Sequence, residues 1–433
     1  MLWSKVIGAG GVGGGGSYWL GLLGGTGLDE FLACAIDSSD NIIAVGYTGS
    51  DGAGSLDALI SKYNSYGTLL WDRTLGGAGD DIFQSAAVDS FDNIIAVGRT
   101  ASDGAGGLDC LISKYNSSGT LLWDRTLGGG GTDLFAAVSV DSDNNIIAVG
   151  YTASDGAGGL DGLIAKYNSS GTLLWDRTLG GTGTDLFVAV SVDSFDNIIA
   201  VGYTASDGAG GLDGLIAKYN SSGTLLWDRT LGGGGTDIFF GAAIDSSDNI
   251  IAVGQTASDG AGGDDCLIAK YHSSGTLLWD RTLGGTGTDT FNDISVDSDN
   301  NIIAVGQTAS DGLIAKYNSS GTLLWDRTLG GGGADIFNDI SVDSANNIIA
   351  VGRTASDGAG GDDCLIAKLP PDGAGTGTYG SLIYQDAVLT DAVAVLGDAV
   401  AVLTDAPAVL TDAVAVLTDA PAILTEEFFE ISA

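Results

Sequence analysis

The sequence predicts an all-β protein, a seven-bladed β-propeller of four-stranded antiparallel blades with a repetitive, extended C-terminal tail. Two internal repeats lead to this prediction. The stretch Gly-Thr-Leu-Leu-Trp-Asp-Arg-Thr-Leu-Gly-Gly occurs six times from residue 67 onward, at four steps of 52 residues and a last step of 46. The run Asn-Ile-Ile-Ala-Val-Gly occurs seven times. A long period kept through a chain indicates one supersecondary module per repeat, stacked on its neighbours.

Each repeat contains four strand-like runs, and residues 134–179 show them most clearly. Residues 135–140 are small and apolar, and a cluster of Asp, Ser and Asn suited to a tight turn follows them. The next runs are 146–152, rich in β-branched residues, then 163–167 and 172–179. Four short strands in about 50 residues are typical of a propeller blade. The small-residue run suits the crowded axis, and the run that contains Trp-Asp-Arg suits the outer edge.

The two ends of the repeat array complement each other. The seventh repeat stops after residue 369, where Pro-Pro-Asp-Gly replaces the Leu-Leu-Trp strand. Near the N-terminus, Trp19 lies 52 residues before Trp71 in a spare copy of that strand. We therefore expect the N-terminal strand to complete blade seven and close the ring, which removes two open sheet edges. The sixth repeat lacks six loop residues near Thr308, a loss that should leave its four strands intact.

The repeat pattern resembles a known family. Its motifs are Val-Asp-Ser-x-Asn-Ile-Ile-Ala-Val-Gly-x-Thr, Asp-x-Leu-Ile-x-Lys-Tyr, Gly-Thr-Leu-Leu-Trp and Leu-Gly-Gly-x-Gly-x-Asp. Over residues 19–369 these motifs resemble the bacterial seven-bladed β-propeller repeat family of SBBP type. The resemblance implies the propeller fold. It implies little about activity, because that family is found mostly in surface and secreted proteins of undefined function.

A second, shorter repeat defines the tail. We divide the chain into a Gly-rich lead-in at 1–16, the propeller at 17–371, a linker at 372–385 and the tail at 386–433. The tail repeats the heptapeptide Asp-Ala-Val-Ala-Val-Leu-Thr, and its consecutive apolar residues, with Pro407 and Pro421, argue against a coiled coil. We expect short strands separated by Thr-Asp turns, in which two repeats, 14 residues, restore the same face.

The composition is acidic and poor in basic residues. The chain has 16 Lys and Arg against 55 Asp and Glu, a formal net charge of −39. Such a surface repels nucleic acid and an anionic membrane, so neither is expected as a partner, and no membrane span is visible. The cysteines occur singly at widely separated places, and we expect buried thiols rather than disulfides. They are Cys34, Cys110, Cys266 and Cys364.

One set of aspartates is a candidate cation site. The Asp of each Leu-Gly-Gly-x-Gly-x-Asp motif lies near the start of an inner strand, so these side chains could form a ring of seven carboxylates at one mouth of the channel. The alternative is that they are turn or cap residues that bind backbone amides. The candidate ring consists of Asp29, Asp81, Asp133, Asp185, Asp237, Asp289 and Asp335.

A second set of aspartates begins the hairpin loop after each inner strand. The sequence Asp-Ser-Asp-Asn-Asn at Asp141 and Asp297 resembles a calcium loop, but it lacks the Gly and the distal Glu of that motif. Calcium is therefore the one cofactor that the sequence allows us to consider.

The sequence indicates a protein without enzymatic activity. His272 is the only histidine and replaces a turn Asn, so no Ser-His or Cys-His dyad can form. The single cysteines do not make a zinc site. An active site also needs different residues that converge on one point, whereas near-identical blades present the same groups seven times.

We therefore expect a structural subunit of an extracellular, cell-surface or virion assembly, either a filament or a decoration. The propeller would be the scaffold. The tail is apolar on both faces and meets a closed propeller without an open edge. Its own blades would cover only part of it and a neighbouring copy the remainder, so the main partner would be the chain itself. The alternative is a multivalent cation- or glycan-binding propeller that uses its repeated loops, Thr-Ala-Ser-Asp-Gly-Ala-Gly-Gly.

Overall fold

The computed structural model of the chain describes residues 18–357, 362–399, 401, 403–406, 411–413, 417–420, 422 and 424–431. The lead-in at 1–16 lies outside these residues. In chain order the strands are β1 (Tyr18–Gly24), β2 (Asp29–Ile36), β3 (Ile42–Thr48), β4 (Asp57–Tyr63), β5 (Leu69–Gly76), β6 (Asp81–Val88), β7 (Ile94–Thr100), β8 (Asp109–Tyr115), β9 (Leu121–Gly128), β10 (Asp133–Val140), β11 (Ile146–Thr152), β12 (Asp161–Tyr167), β13 (Leu173–Gly180), β14 (Asp185–Val192), β15 (Ile198–Thr204), β16 (Asp213–Tyr219), β17 (Leu225–Gly232), β18 (Asp237–Ile244), β19 (Ile250–Thr256), β20 (Asp265–Tyr271), β21 (Leu277–Gly284), β22 (Asp289–Val296), β23 (Ile302–Thr308), β24 (Asp311–Tyr317), β25 (Leu323–Gly330), β26 (Asp335–Val342), β27 (Ile348–Thr354), β28 (Asp363–Leu369), β29 (Gly377–Tyr379), β30 (Leu382–Asp386), β31 (Thr390–Val393), β32 (Gly397–Ala399), β33 (Thr404–Ala406), β34 (Thr411–Ala413), β35 (Thr418–Ala420) and β36 (Thr425–Ile431).

The described residues form seven sheets, and each sheet is one blade of a propeller. Blades one to six are β2–β5, β6–β9, β10–β13, β14–β17, β18–β21 and β22–β25, and blade seven consists of β26–β28 and β1. The strands β2, β6, β10, β14, β18, β22 and β26 contact one another around the axis. The small-residue strand is therefore innermost, as predicted, and the seven-bladed all-β fold is confirmed.

Burial explains the pattern of apolar residues in the strands. The second and third strands of blade one, β3 and β4, are buried at every residue, because each faces a neighbouring blade on both sides. Their runs of Ile, Ala, Val and Leu are therefore continuous rather than alternating. The inner strand β2 instead contains a bulge between Phe31 and Ala33, and the extra residue, Leu32, lines the central channel. The other six inner strands have their bulge at the equivalent place.

The N-terminal strand closes the ring. Strand β1 pairs antiparallel with β28, with Trp19 opposite Lys368 and Leu23 opposite Cys364. The Trp19 side chain is fully buried, and its ring centroid lies 6.3 Å from that of Tyr63 in blade one. The predicted closure is confirmed. Blade six also keeps its four strands, because a short turn at Ala309, with φ of 49°, replaces the longer loop of the other blades.

The repeated tryptophan fastens each blade to the next. The Trp71 ring lies so close to Gly119, in the third hairpin of blade two, that a Cβ atom there would be 2.8 Å from the ring, and Gly119 also has φ of +80°. The indole Nε1 of Trp71 donates to the Ser117 carbonyl at 3.3 Å, and Arg73 Nε donates to the Gly119 carbonyl at 3.0 Å. Glycine in the Gly-Thr-Leu-Leu-Trp motif is therefore required by the tryptophan of the preceding blade.

Short strands near the C-terminus pair with the rim of the propeller and form a belt, a name we use for β30 to β36 and the described residues between them. Each belt strand pairs antiparallel with the outer strand of a different blade, in the reverse of blade order: β30 with β25, β31 with β21, β32 with β17, β33 with β13, β34 with β9, β35 with β5 and β36 with β1. One heptapeptide serves one blade. The last glycine of each outer strand is paired with belt residues seven apart, from Ile383 and Thr390 to Thr418 and Thr425.

Two expectations about the tail are thus wrong. The closed propeller does offer open edges, because the outer strand of each blade still has one unpaired side, and the belt pairs with that side. The Thr-Asp pairs are also not turns, because Thr-Asp-Ala is the paired strand. Between β31 and β32, the described residues 394–396 lead from blade five to blade four. Strand pairing recurs at every heptapeptide rather than at every second one.

Side chains of the belt alternate between the propeller and the solvent. Ala394 is 6% exposed and Leu396 packs against the core between blades four and five. Val393 and Val395 point outward and are 62% and 83% exposed. Here the tail has one apolar face buried on its own blades and one exposed, so the propeller covers part of its apolar surface, as expected.

This alternation predicts opposite effects for two neighbouring substitutions. Ala394→Asp would bury a carboxylate between blades four and five, and we expect it to lower the free energy of unfolding by about 1–3 kcal/mol and to expose the belt to limited proteolysis. Val395→Asp, on the exposed face, should change neither measurement. Equal behaviour of the two variants would contradict the described register.

Candidate functional site

Each aspartate of the predicted cation ring caps the connection between the preceding blade and its own. The buried Asp29 carboxylate accepts hydrogen bonds through Oδ2 from the Gly25 amide at 2.8 Å and from Ser50 Oγ at 2.7 Å, and through Oδ1 from Thr48 Oγ1. The glycine and threonine bonds recur at all seven positions. Among the described residues, no three His, Cys, Asp or Glu side chains are placed to hold a metal ion. The geometry matches the alternative role, a cap on backbone amides.

A second aspartate, which the sequence reasoning missed, lies beside each of these caps. Asp57 begins the third strand of blade one, and burial raises the pKa of its carboxyl. A Cβ atom on Gly76 would lie 2.1 Å from Asp57 Oδ1 and 3.0 Å from Asp81 Oδ2. The first glycine of Leu-Gly-Gly is therefore needed where two carboxylates approach the backbone. The recurring Asp before Leu-Ile in each repeat was the signal for this residue.

The aspartates of the first hairpin loops bind lysine. Asp37 Oδ1 accepts from the Ser39 and Asn41 amides at 2.9 Å, and its Oδ2 lies 2.7 Å from Lys62 Nζ. Both charged side chains are almost fully buried, and Lys62 also donates to the Ser117 carbonyl of blade two. An ammonium group thus occupies the place that the calcium hypothesis gave to a metal ion. The equivalent pairs are Lys114–Asp89, Lys166–Asp141, Lys218–Asp193, Lys270–Asp245, Lys316–Asp297 and Lys368–Asp343.

The single histidine and the four cysteines are the other residue types considered for catalysis or metal binding. His272 is exposed in a turn, where its Nδ1 contacts Ser274 Oγ at 2.8 Å. The four cysteines are buried free thiols, as predicted. Burial raises the pKa of the Cys34 thiol well above its usual value, and the nearby Asp339 and Asp293 raise it further. At neutral pH this thiol is therefore protonated and a poor nucleophile.

The central channel is the place where different side chains converge. It encloses a cavity of about 240 Å³. One side is apolar and is lined by Ala136, Ala137, Val188, Ala189 and Phe240. The other side is polar apart from Leu32 and is lined by Gln84, Ser85, Asn292, Asp293, Asn338 and Asp339. The sequence reasoning missed this asymmetry, since it treated the near-identical blades as presenting the same groups seven times. The signal was the Asn-Asp pair in the inner strands of repeats six and seven.

Asp293 and Asp339 form a carboxyl pair in this channel. Asp293 Oδ2 accepts from the Ile340 amide and Asp339 Oδ2 from the Cys34 amide, each at 3.1 Å, so each carboxyl joins its inner strand to the next blade. The two carboxyls are near enough that the charge of one disfavours ionisation of the other. Burial, followed by the charge of Asp293, raises the pKa of Asp339 well above its usual value.

Neighbouring residues are shaped around this pair. A Cβ atom on Gly241, in blade five, would lie 2.9 Å from Asp293 Oδ1, so glycine leaves room for that carboxyl. Asn338 Nδ2 donates to Glu30 Oε1 at 2.9 Å and to the Phe31 carbonyl at 2.8 Å. Residues of blades five, six, seven and one therefore hold the two carboxyls in place. Chemically, such a pair can exchange a proton or bind a cation.

Comparison with known proteins agrees with this architecture. The family model described as "Domain of unknown function (DUF5122) beta-propeller" matches residues 142–173. An uncharacterized WD repeat-containing protein of Acanthamoeba polyphaga mimivirus is 22% identical over 66% of this chain and 31% of its own length. The regulatory protein FlaEY of Caulobacter vibrioides is 26% identical over 45% of this chain and 21% of its own length. The chain thus spans about a third or less of the length of these relatives.

Solved structures match through the fold alone. A protein from Lactobacillus plantarum matches with a TM-score of 0.41 and 11% identity, over 71% of this chain and 96% of its own. A GH43_12 protein from a capybara gut metagenome and Drosophila Plexin A also match, and such likeness says nothing about whether this chain is an enzyme. The described residues contain no helix with the length and apolarity needed to cross a bilayer.

Fold and repeats together define a β-propeller repeat protein. Within that class, this chain is a seven-bladed propeller whose ring is closed by its N-terminal strand and whose rim is paired with its own C-terminal belt.

The buried Lys–Asp pairs predict a dependence of stability on pH. Burial alone would raise the pKa of Asp37, but hydrogen bonds from Lys62 and Asn41 outweigh it and hold the pKa below 3.8. A lowered carboxyl pKa contributes stability above the unfolded value, about 3.9, which is lost as pH falls through the folded value. The raised pKa values of Asp57 and its equivalents act in the opposite direction. Urea midpoints should therefore rise slightly as the pH is lowered towards the unfolded value, while the carboxyls with raised pKa take up protons, and should fall at pH values below it.

Lys62→Met tests the assignment. It leaves Asp37 buried and unpaired, and we expect a loss of about 3–5 kcal/mol at pH 7 that shrinks below about pH 4, where the carboxyl becomes protonated. Asp143→Ala removes an exposed carboxylate of an equivalent hairpin loop and is the control. A loss for Lys62→Met that is the same at pH 7 and at pH 3 would refute the ion-pair account.

Proposed function

We propose that the chain is a non-enzymatic structural subunit of an extracellular, cell-surface or virion assembly. The observation that carries this proposal is the belt, which pairs with the outer strand of all seven described blades within one chain. Because the belt covers the outer edge of each described blade, the chain would form a rigid disc with the same groups repeated around its rim. Such a disc is suited to be a building block. The acidic surface, with a net charge of −39, favours solubility in a salty medium.

Repeated apolar contact points on the rim support the same proposal. The second residue of each Leu-Leu-Trp strand is about half exposed, in contrast to the buried residues of the neighbouring strands. These residues are Leu70, Leu122, Leu174, Leu226, Leu278 and Leu324. Equivalent apolar groups at regular spacing permit contacts that add up by multivalency. From the sequence motifs of the repeats, we also propose that they are of the SBBP type, which a position-by-position comparison with those repeats would test.

The test is the state of assembly of the full chain and of a chain that lacks residues 386–433. Light scattering and electron microscopy of the full chain should show defined oligomers or filaments. If these disappear on truncation while circular dichroism shows an intact propeller, the belt is the polymerising element. If they persist, the propeller itself makes the contacts. A full chain that remains monomeric at all concentrations would contradict the structural role.

The alternative function, cation or glycan binding, is favoured by one observation, the asymmetric channel with its carboxyl pair. Calcium chloride titrated into the full chain in a calorimeter distinguishes the candidate places by stoichiometry. About one ion per chain, lost in Asp339→Asn, would indicate the channel. About seven ions would indicate the loop carboxylates instead. Absence of heat with calcium would contradict a calcium-binding role.

A further inference from the structure

The bulge of the inner strand is the most varied position of the repeat. From blade one to blade seven the bulge residue is Leu, Gln, Ala, Val, Phe, Asn and Asn, six residue types in seven copies. By contrast, the outer strand Leu-Leu-Trp-Asp-Arg-Thr-Leu-Gly is identical in blades one to six. All seven bulge residues line the cavity of the central channel. The repeats therefore differ most where their side chains converge, which is typical of a binding site rather than a scaffold.

The varied residues divide the cavity into two halves. The apolar half comes from three consecutive blades, three to five, and its largest side chains are Val188 and Phe240. The polar half includes the Asn-Asp pairs of blades six and seven, with the carboxyls of Asp293 and Asp339. Most of the lining side chains are half-buried rather than buried, so a ligand can reach them. A ligand that fits both halves has an apolar body and a polar head group.

The polar half offers mainly hydrogen-bond acceptors. Asn292 Nδ2 donates to the Phe337 carbonyl at 2.8 Å, and Asn338 Nδ2 donates to blade one, as described above. These donors are thus used between blades, and the amide oxygens remain for a ligand. The carboxyls of Asp293 and Asp339 are further acceptors. A head group with several N–H donors matches this set.

No basic side chain neutralises the two carboxyls. In the described part of the chain, the ion pairs of Lys and Arg involve other acids, and none includes Asp293 or Asp339. The hairpin aspartates differ in this respect, because each of them has its own lysine. Burial raises the pKa of both channel carboxyls, as expected for acids without a cationic neighbour. A positively charged ligand would be attracted to both.

The apolar half of the cavity favours an organic cation over a metal ion. A hydrated metal ion would make no use of Val188 and Phe240. Among the described residues, no three His, Cys, Asp or Glu side chains surround one point. The cavity volume of about 240 Å³ lies just below the usual range of small-molecule sites, about 300–1,000 Å³. The body of the ligand is therefore short.

We propose that the central channel binds a small organic ammonium ion, a primary amine whose head group contacts Asp293 and Asp339 and whose apolar body packs on Val188 and Phe240. The inference rests on the alternative function, cation binding in the channel, and names the class of cation. It does not depend on the belt or on the state of assembly.

Calorimetric titration of the full chain with phenethylammonium chloride tests the proposal. Phenethyl alcohol is the matched ligand control, because it has the same apolar body without the charge. Salt at about 0.15 M screens attraction to the acidic surface. We expect about one amine per chain, and we expect the alcohol to bind at least about tenfold more weakly, since hydrogen bonds to charged groups are the stronger ones.

Two variants of the full chain place the site. Asp339→Asn removes a charge but keeps an oxygen for the Cys34 amide, and we expect it to weaken amine binding about 10- to 100-fold. Ala136→Phe fills the cavity from the apolar half and should abolish binding; blade five already has Phe240 at the equivalent bulge. Asp143→Asn, in an exposed hairpin, is the control and should bind as the unchanged chain does. Circular dichroism checks that each variant is folded.

Several outcomes would overturn the inference. They are no amine binding at millimolar concentrations, many amines per chain, equal binding of the alcohol, or unchanged affinity in a folded Asp339→Asn or Ala136→Phe chain. If either variant does not fold, the other variant and the alcohol still decide. One calcium ion per chain, lost in Asp339→Asn, without amine binding would leave the cation-binding function standing and refute the organic ligand. Amine binding as expected, without heat from calcium, would support the organic ligand.

Discussion

Unpaired backbone groups at strand edges are the constraint on which the rest of this structure depends. A ring of blades satisfies the inner strands and the blade faces, but each blade still ends in an outer strand with one side free. The chain meets this constraint with two devices. The belt pairs with the last residues of each outer strand. Earlier in the strand, the tryptophan and the arginine donate hydrogen bonds to the next blade. Both devices come from the most repetitive stretches of the sequence.

The buried polar groups are arranged by the same logic. Asp37 and its equivalents hold their own hairpins, and the lysines that neutralise them reach the following blade. Asp29 and its equivalents join the end of one blade to the start of the next. Polar residues inside this propeller therefore bridge modules, whereas the apolar residues fill the space between them. Most of the aspartates in the repeat have such a structural task.

The fold could be predicted from the sequence because its determinants are local and repeated. Seven copies of a β-branched run fix the number of blades, and the mismatch between Trp19 and the unfinished seventh repeat indicates the closure. The partner of the tail could not be predicted, because a heptapeptide gives a spacing but does not say which edge it meets. Its Thr-Asp pairs suggested turns, since turn propensity is a local signal and pairing with a distant outer strand is not.

The polar lining of the channel could not be predicted from the sequence for a different reason. Two Asn-Asp pairs among many near-identical residues look like ordinary variation until the bulge of each inner strand is known to point its side chains at the axis. The requirement for glycine at Gly241 cannot be predicted from the sequence either, because it depends on Asp293 of the next blade. Contacts between repeats, rather than within them, are what periodicity does not reveal.

The reverse course of the belt also restricts how such a gene can change length. Blades five to one are each served by one heptapeptide, in that order along the tail. A duplication or loss of one long repeat unit among them would leave a blade without its cover or a heptapeptide without its blade, unless the short array changed by one unit as well. The two arrays must therefore grow and shrink in step.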